Sequence, residues 1–489
     1  MPGVISDVLP KVWPTILTLG LILLAISAAE ALMALMSLAL GDGLAVDFGI
    51  TAALTGAFAS ACILTTKGRA FDLRFRDAAL LTVAVWVIVP AFAAIPFFND
   101  PIHMSPIDAY FEAVSGLTTT GATVMSDLDA RPPSILLWRS TMQWIGGVGI
   151  IGLAIVVLPF LRIGGMALFQ LESSEKHETN LPRLRSVALT VVAIYLAMTV
   201  LCFFAYWALG MSPFDALNHA FTTVCTGGYS THDASFAQFD SLAIEWTAIV
   251  FMVGGSLPFL FYVRIFGRGS TRNRVEPQVI SFLVLLVVLV AVLATWLVIV
   301  EPMQVFTAIT KAAFTVVAIT TSTGYASADY VAWGTFAAML VFLMSFLGGC
   351  TGSTTGGIKM FRLHVLFAVV VQHIQRVFHP HIVSPLRYGE RVVSDEQATS
   401  VGTFIFLFLL SFALLAIALS AVGLDPGTAL SASIAAVGNI GPGAVPEIGP
   451  IETYALLPDA AKVLLSAAMI LGRLEIMSVL ILFLPSFYR

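Results

Sequence analysis

Four times along the chain a short apolar stretch ends in a small-residue turn built on glycine, with a full-length apolar span on either side. The turns read Thr119-Thr120-Gly121-Ala122-Thr123, Cys225-Thr226-Gly227-Gly228-Tyr229, Ser322-Thr323-Gly324-Tyr325-Ala326 and Asn439-Ile440-Gly441-Pro442-Gly443. Their first glycines recur roughly every 100 residues, the mark of an internal repeat. Non-helical backbone at membrane depth is tolerated only where protein buries it or where it lines a watery cavity. Four such turns in equivalent positions therefore point to one pore ringed by carbonyl oxygens.

The membrane setting follows from composition. Of 489 residues, 58% are hydrophobic and 11% charged, and the mean hydropathy is +0.94. A soluble domain of this size does not carry that balance. A formal charge of -5 offers no basic field for nucleic acid, so none is expected as a partner. Cys62, Cys202, Cys225 and Cys350 are scattered through apolar segments and predict neither a disulfide framework nor a metal site. The run from Pro14 to Leu40 is too long for a signal-peptide core and reads as the first span.

A crossing needs about 20 helical residues. On that measure spans fall near 13–40, 46–65, 78–98, 136–161, 187–210, 242–264, 278–300, 331–376, 400–423 and 459–485, ten in all. The stretches near 107–120, 213–226, 309–322 and 427–439 read as re-entrant half-helices. Basic residues cluster in alternate loops, at Lys67 to Arg76, Arg162 to Arg185, Arg264 to Arg274 and Arg376 to Arg391. These loops are cytoplasmic by the positive-inside rule, as are both termini, so all four half-helices enter from outside.

The repeat is visible in the letters. Ser105-Pro106-Ile107-Asp108 opens the first half-helix and Ser212-Pro213-Phe214-Asp215 the second, with Gly121 and Gly227 taken as the equivalent glycines. Ser-Pro before the helix and Asp at the expected N-cap are helix-start signals. Repeats three and four keep only Thr310 and Thr428 at comparable offsets. The expected architecture is an all-α polytopic membrane protein: a helix pair over 1–68, then pore repeats over 69–165, 166–270, 271–380 and 381–489 around a central pore.

A dehydrated monovalent cation needs oxygens in place of its water shell, and glycine allows the backbone conformations that present them. Half-helices add the partial negative charge of their C-terminal ends. The expected filter residues are Thr119, Thr120 and Gly121; Cys225, Thr226 and Gly227; Ser322, Thr323 and Gly324; and Asn439, Ile440 and Gly441.

The runs SGLTTTGAT from Ser115, RSTMQWIGGVG from Arg139, GGCTGSTTGGIK from Gly348, NIGPG from Asn439 and LGRLE from Leu471 resemble the signatures of the Trk/Ktr potassium-transporter superfamily over nearly the whole chain. Length and the extra first helix pair resemble its TrkH branch. The resemblance implies a fourfold pseudosymmetric potassium pore in the cytoplasmic (inner) membrane of a bacterium. It also implies a homodimeric subunit and a cytosolic nucleotide-binding regulatory partner of the TrkA type. Cys225 departs from the serine expected at its place.

The glycine-rich run containing Gly348, Gly349, Gly352, Gly356 and Gly357 interrupts the 331–376 span, as a gating loop beneath the filter or as a passive kink. Arg473 falls near mid-membrane, where a charge needs water or a partner. The resemblance makes it a pore-lining restriction; the alternative is an ion pair with Glu475 or Glu112. Glu30, in the extra helix pair, reads as a packing or dimer residue rather than a transport residue. Glu112, Asn218, His219 and Lys311 read as braces behind the filter. The function expected is gated potassium uptake, the alternative a symporter coupled to sodium or protons. Six residues separate His219 from Cys225, with no third orienting group, so an enzyme is not expected.

Overall fold

The computed structural model describes residues 12–69, 75–98, 102–156, 181–266, 276–301, 303–379, 385–389 and 391–485. Of the basic residues used to orient the chain, Arg74, Arg162, Lys176, Arg268, Arg272 and Arg274 lie outside these segments. The rest is almost entirely helical, apart from a two-stranded hairpin pairing Arg387–Tyr388 with Arg391–Val392.

Six helices among the described residues are long and apolar enough to cross a membrane: Val12–Leu40, Ala45–Thr66, Arg76–Phe97, Ser186–Ala208, Pro277–Val300 and Asp395–Ala421. Their exposed large side chains, such as Leu38, Val46, Leu64, Val287 and Ile299, form the apolar face that a bilayer solvates. The first two pack along one another and form the expected extra pair, which leans on Phe75–Ala93 and Pro133–Val156.

Two spans read as continuous are broken. Leu242–Ser256 turns by 92° into the next helix, and Asp459–Arg473 turns by 103° at Leu474 to Ile476. The first break has a local cause: Pro258 disfavours helical backbone at the residue before it, Leu257, which is extended. The second places Glu475 at φ 55°, which no sequence signal announced. The 331–376 span is broken as expected, into Thr335–Met344 and Met360–Phe378.

The half-helices are Pro106–Leu117, Pro213–Val224, Val305–Thr320 and Pro426–Val437. Ser105 and Ser212 are the N-caps, each accepting from the N–H of the Asp three residues on. The aspartates expected at the cap thus sit one turn inside, where they return the bond as acceptors from the serine hydroxyls. Asp425 caps the fourth through the N–H groups of Gly427 and Thr428. The third has no side-chain cap and starts at Val305, a turn before the expected 309.

Each half-helix is held by the elements around it. Pro133–Val156 packs on the second half-helix, Leu242–Ser256 on the third and Asp459–Arg473 on the first, so the fourth repeat closes on the first. Charged staples follow this circuit: Glu245 with Lys311 and Asp108 with Lys462, both at 2.6 Å.

Candidate functional site: a ring of four glycine turns

All four half-helices end the same way. The N–H groups of Thr119, Thr226, Ser322 and Asn439 bond three residues back, and those of Thr120, Gly227, Thr323 and Ile440 bond five residues back. Thr119, Thr226, Ser322 and Asn439 all take left-handed φ, between 52° and 53°. Helices usually reserve that position for glycine. Four non-glycine residues held there mean that the surroundings overdetermine the conformation, a pattern associated with functional sites.

Two residues further on, φ is again positive at Gly121 (84°), Gly228 (82°), Gly324 (76°) and Gly441 (99°). The partner of Gly121 in the second repeat is therefore Gly228, not Gly227, and the second triad is Thr226-Gly227-Gly228. Cys225 moves out of the row. It is the C-cap of its half-helix, equivalent to Thr118, Thr321 and Gly438, which removes the apparent departure at that position. Two adjacent glycines made the register ambiguous; the spacing from Asp108 and Asp215 to the glycines was the available signal, since counting to Gly228 makes the two repeats equal.

The four turns close into one ring. A Cβ on Gly121 would meet Gly227 O at 2.2 Å, one on Gly228 would meet Thr323 O at 1.8 Å, one on Gly324 Ile440 O at 2.1 Å, and one on Gly441 Thr120 O at 2.7 Å. Each glycine thus presses on the middle carbonyl of the next turn, and the fourth returns to the first. A side chain at any of these glycines would force two turns apart.

Behind the ring lies a buried polar frame. Glu112, wholly buried, pairs with Arg139 at 2.8 Å and accepts from Thr123 Oγ1 and Val124 N at 3.0 Å. Arg139 also stacks over the Tyr229 ring and donates to Ser230 O. Gln143 Nε2 donates to Gly227 O while its Oε1 accepts from Tyr229 N. Tyr454 donates to Gly441 O at 2.7 Å. His219 bonds Ser230 Oγ, and Lys311 donates to Ser327 O past the third turn. Three of the four expected braces are therefore placed to brace. Asn218 donates only to Phe214 O of its own helix. Gln143 and the tyrosines were missed because nothing in their local sequence separates them from ordinary core residues.

On one face of the ring, Gly121, Gly228, Gly324 and Gly441 together line an open pocket with Asp233 and Glu452 at its walls. On the other face sits the glycine-rich segment. Gly356 N donates to Ser322 Oγ at 2.6 Å, and Thr354 Oγ1 lies 3.0 Å from Thr226 Oγ1. A Cβ on Gly356 would strike Gly438 O at 2.1 Å, and one on Gly348 would strike Gly356 O at 2.2 Å. The segment is a folded loop pressed against the ring, anchored also by Cys350 N to Ser256 O and Phe259 N to Gly352 O.

Arg473 shares a second cavity with Gly352, Gly356 and Gly357. It lies within electrostatic reach of Cys225, at the C-terminal end of the second half-helix. Neither suggested acid is its partner: Glu475 pairs with Arg362 at 2.7 Å and Glu112 with Arg139. Its Nε and Nη2 have no hydrogen-bond partner among the described residues. Glu30 is likewise wholly buried in the outer helix pair, with Thr55 as its polar neighbour.

A ring of backbone oxygens at the negative ends of four half-helices is suited to a dehydrated cation, and it contains no arrangement for bond-making chemistry. The comparisons agree with that class. Residues 46–487 match the TrkH family model, described as a cation transport protein. The chain is 38% identical to the Trk system potassium uptake protein TrkI of Halomonas elongata, over 99% of each chain. It is 34% identical to the Trk system potassium uptake protein TrkH of Escherichia coli K12, over 96% of this chain and 98% of that one. The crystal structure of the potassium transporter TrkH from Vibrio parahaemolyticus superposes with a TM-score of 0.90 at 33% identity, covering 98% of this chain and all of that one. The protein is a multi-pass membrane transporter, not an enzyme, and belongs to the TrkH family of cation transport proteins.

Proposed function

We propose that this chain is the potassium-conducting subunit of a bacterial uptake system, with the ring of four glycine turns as its selectivity filter. The observation that carries the reading is the closed circuit in which Gly121, Gly228, Gly324 and Gly441 each abut the middle carbonyl of the next turn. Potassium sheds water into this ring from the open pocket, where Asp233 and Glu452 raise the local cation concentration. The relatives named as potassium uptake proteins support potassium as the substrate.

The gate is the loop from Gly348 to Gly357 together with Arg473. The loop blocks the path beneath the filter, and the Arg473 guanidinium, whose Nε and Nη2 find no partner among the described residues, occupies the electrostatic well that the half-helix ends create for the permeating ion. Opening requires both to move. Membership of the TrkH family supports control by a cytosolic nucleotide-binding subunit of the TrkA type acting on a homodimer in the inner membrane. Both termini then face the cytoplasm, and the half-helices enter from outside. A filter approached from one side by all four half-helices favours a gated pore over a symporter with oppositely oriented broken helices.

Rubidium uptake into proteoliposomes tests this. Arg473→Ala and a shortened 348–357 loop should each raise the rate several-fold while preserving preference over sodium. Wild-type rates in both correctly folded variants would exclude the gate. No rubidium uptake by the wild-type chain, with or without its partner, would exclude conduction.

A further inference from the structure

The cavity beneath the ring carries more positive charge than its protein partners answer. Lys359, Arg362 and Arg473 line it, and Glu475 is the single acid among its described lining residues. Glu475 is already engaged by Arg362 Nη2. Lys359 Nζ donates to Thr355 O and Oγ1, both neutral acceptors. Arg362 and Arg473 are 3% and 4% exposed, and Arg362 Nε, Arg473 Nε and Arg473 Nη2 find no acceptor among the described residues. Glu276, on the same side of the ring, is committed to Arg264 and Gln278. Buried donors are seldom left unsatisfied, and buried charges are seldom left unbalanced.

We propose that this cavity binds a small monovalent inorganic anion of chloride size between Arg473 and Arg362, with Lys359 Nζ alongside as a further donor. Arg362 is preorganised for such a ligand, because its guanidinium lies over the Phe404 ring at 3.7 Å, with Nη2 on Glu475 and Nε left without an acceptor. Ile150, Phe404, Phe408 and Leu474 supply apolar wall. Such a pocket suits a compact, weakly hydrated halide rather than a divalent oxyanion, which demands more donors. The consequence for transport rests on the conduction reading above: the anion screens Arg473 and lowers the barrier that its charge presents to a passing cation.

The test is equilibrium dialysis of the purified full-length chain against ³⁶Cl⁻, at constant potassium with gluconate as the balancing ion. One saturable site per chain is expected, displaced by bromide and not by gluconate. Arg473→Gln should weaken binding about tenfold or more, the scale of a lost charge-assisted hydrogen bond. If that variant is not monodisperse, Lys359→Gln takes its place, with a several-fold loss expected. Unchanged chloride affinity in a monodisperse variant overturns the assignment. Absence of saturable chloride in wild-type protein that still takes up rubidium overturns the anion site alone. Saturable chloride in a chain that moves no rubidium with or without its partner upholds the site and overturns conduction.

Discussion

Ser322 Oγ accepts the backbone N–H of Gly356 at 2.6 Å, so a strained residue of the third glycine turn is fastened directly to the loop beneath it. Thr226 and Thr354 make the matching contact in the second turn. The second and third turns and the loop are therefore one hydrogen-bonded unit on this side of the ring; with the ring as filter and the loop as gate, as proposed above, the loop withdraws only by releasing residues that hold the turns in shape.

Ser322→Ala should loosen the loop and disturb the filter together. It strands the buried Gly356 N–H, at a cost of about 1–3 kcal/mol. Basal rubidium flux should rise by roughly tenfold, accompanied by weaker discrimination against sodium. Ser322→Thr, which keeps the hydroxyl, should stay near wild type in both measurements. A rise in flux with unchanged selectivity would mean that the gate moves independently of the filter.

The register of the second turn makes a separate prediction about neighbouring glycines. Gly228→Ala places a methyl against Thr323 O and demands positive φ from alanine, a backbone penalty of about 1–3 kcal/mol before the clash is counted. No side-chain change elsewhere relieves it. At Gly227 the new methyl instead meets the Gln143 side chain at 2.5 Å and the Cys225 thiol at 2.9 Å. Gly227→Ala should therefore lose uptake in the wild-type background and regain part of it with Gln143→Ala, whereas Gly228→Ala should not respond. Equal rescue of both, read by rubidium uptake, would return the register to Gly227.

Long-range order in this fold was legible where one residue type has one physical use. Apolar length located the spans, Ser-Pro located two half-helix starts, and glycine located the turns and the loop. Pro258 marks the break at Leu257 but is overlooked when a span is recognised by composition rather than by direction, and the break at Leu474 was not legible, because apolar composition continues through it with no proline. The choice between Gly227 and Gly228 was written only in the equal spacing from Asp108 and Asp215, a signal that two adjacent glycines obscure. The partners of Arg473 stayed open: Glu112 and Glu475 were the right acids to consider, and only the fold gives them to Arg139 and Arg362.

At the rim of the open pocket, His232 bridges Asp129 of the first repeat and Asp215 at the start of the second half-helix. Its hydrogen bond with Asp215, opposed by partial burial and reinforced by Asp129, raises its pKa to about 9. Burial works against Asp215, yet bonds from His232, Ser212 and Thr231 hold its carboxyl below the ordinary range. A histidine whose folded pKa is raised stabilises the fold fully below its unfolded value near 6.5, and that contribution is lost as pH rises through 9. Thermal stability of the detergent-solubilised protein should accordingly fall between about pH 6.5 and 9. The fall should be shallower in His232→Gln, which hydrogen-bonds but carries no charge to lose. Parallel pH profiles for the two proteins would mean that the bridge adds no charge-dependent stability. A shallower profile combined with unchanged rubidium selectivity would confine His232 to holding the rim, separate from the ring of carbonyls below it.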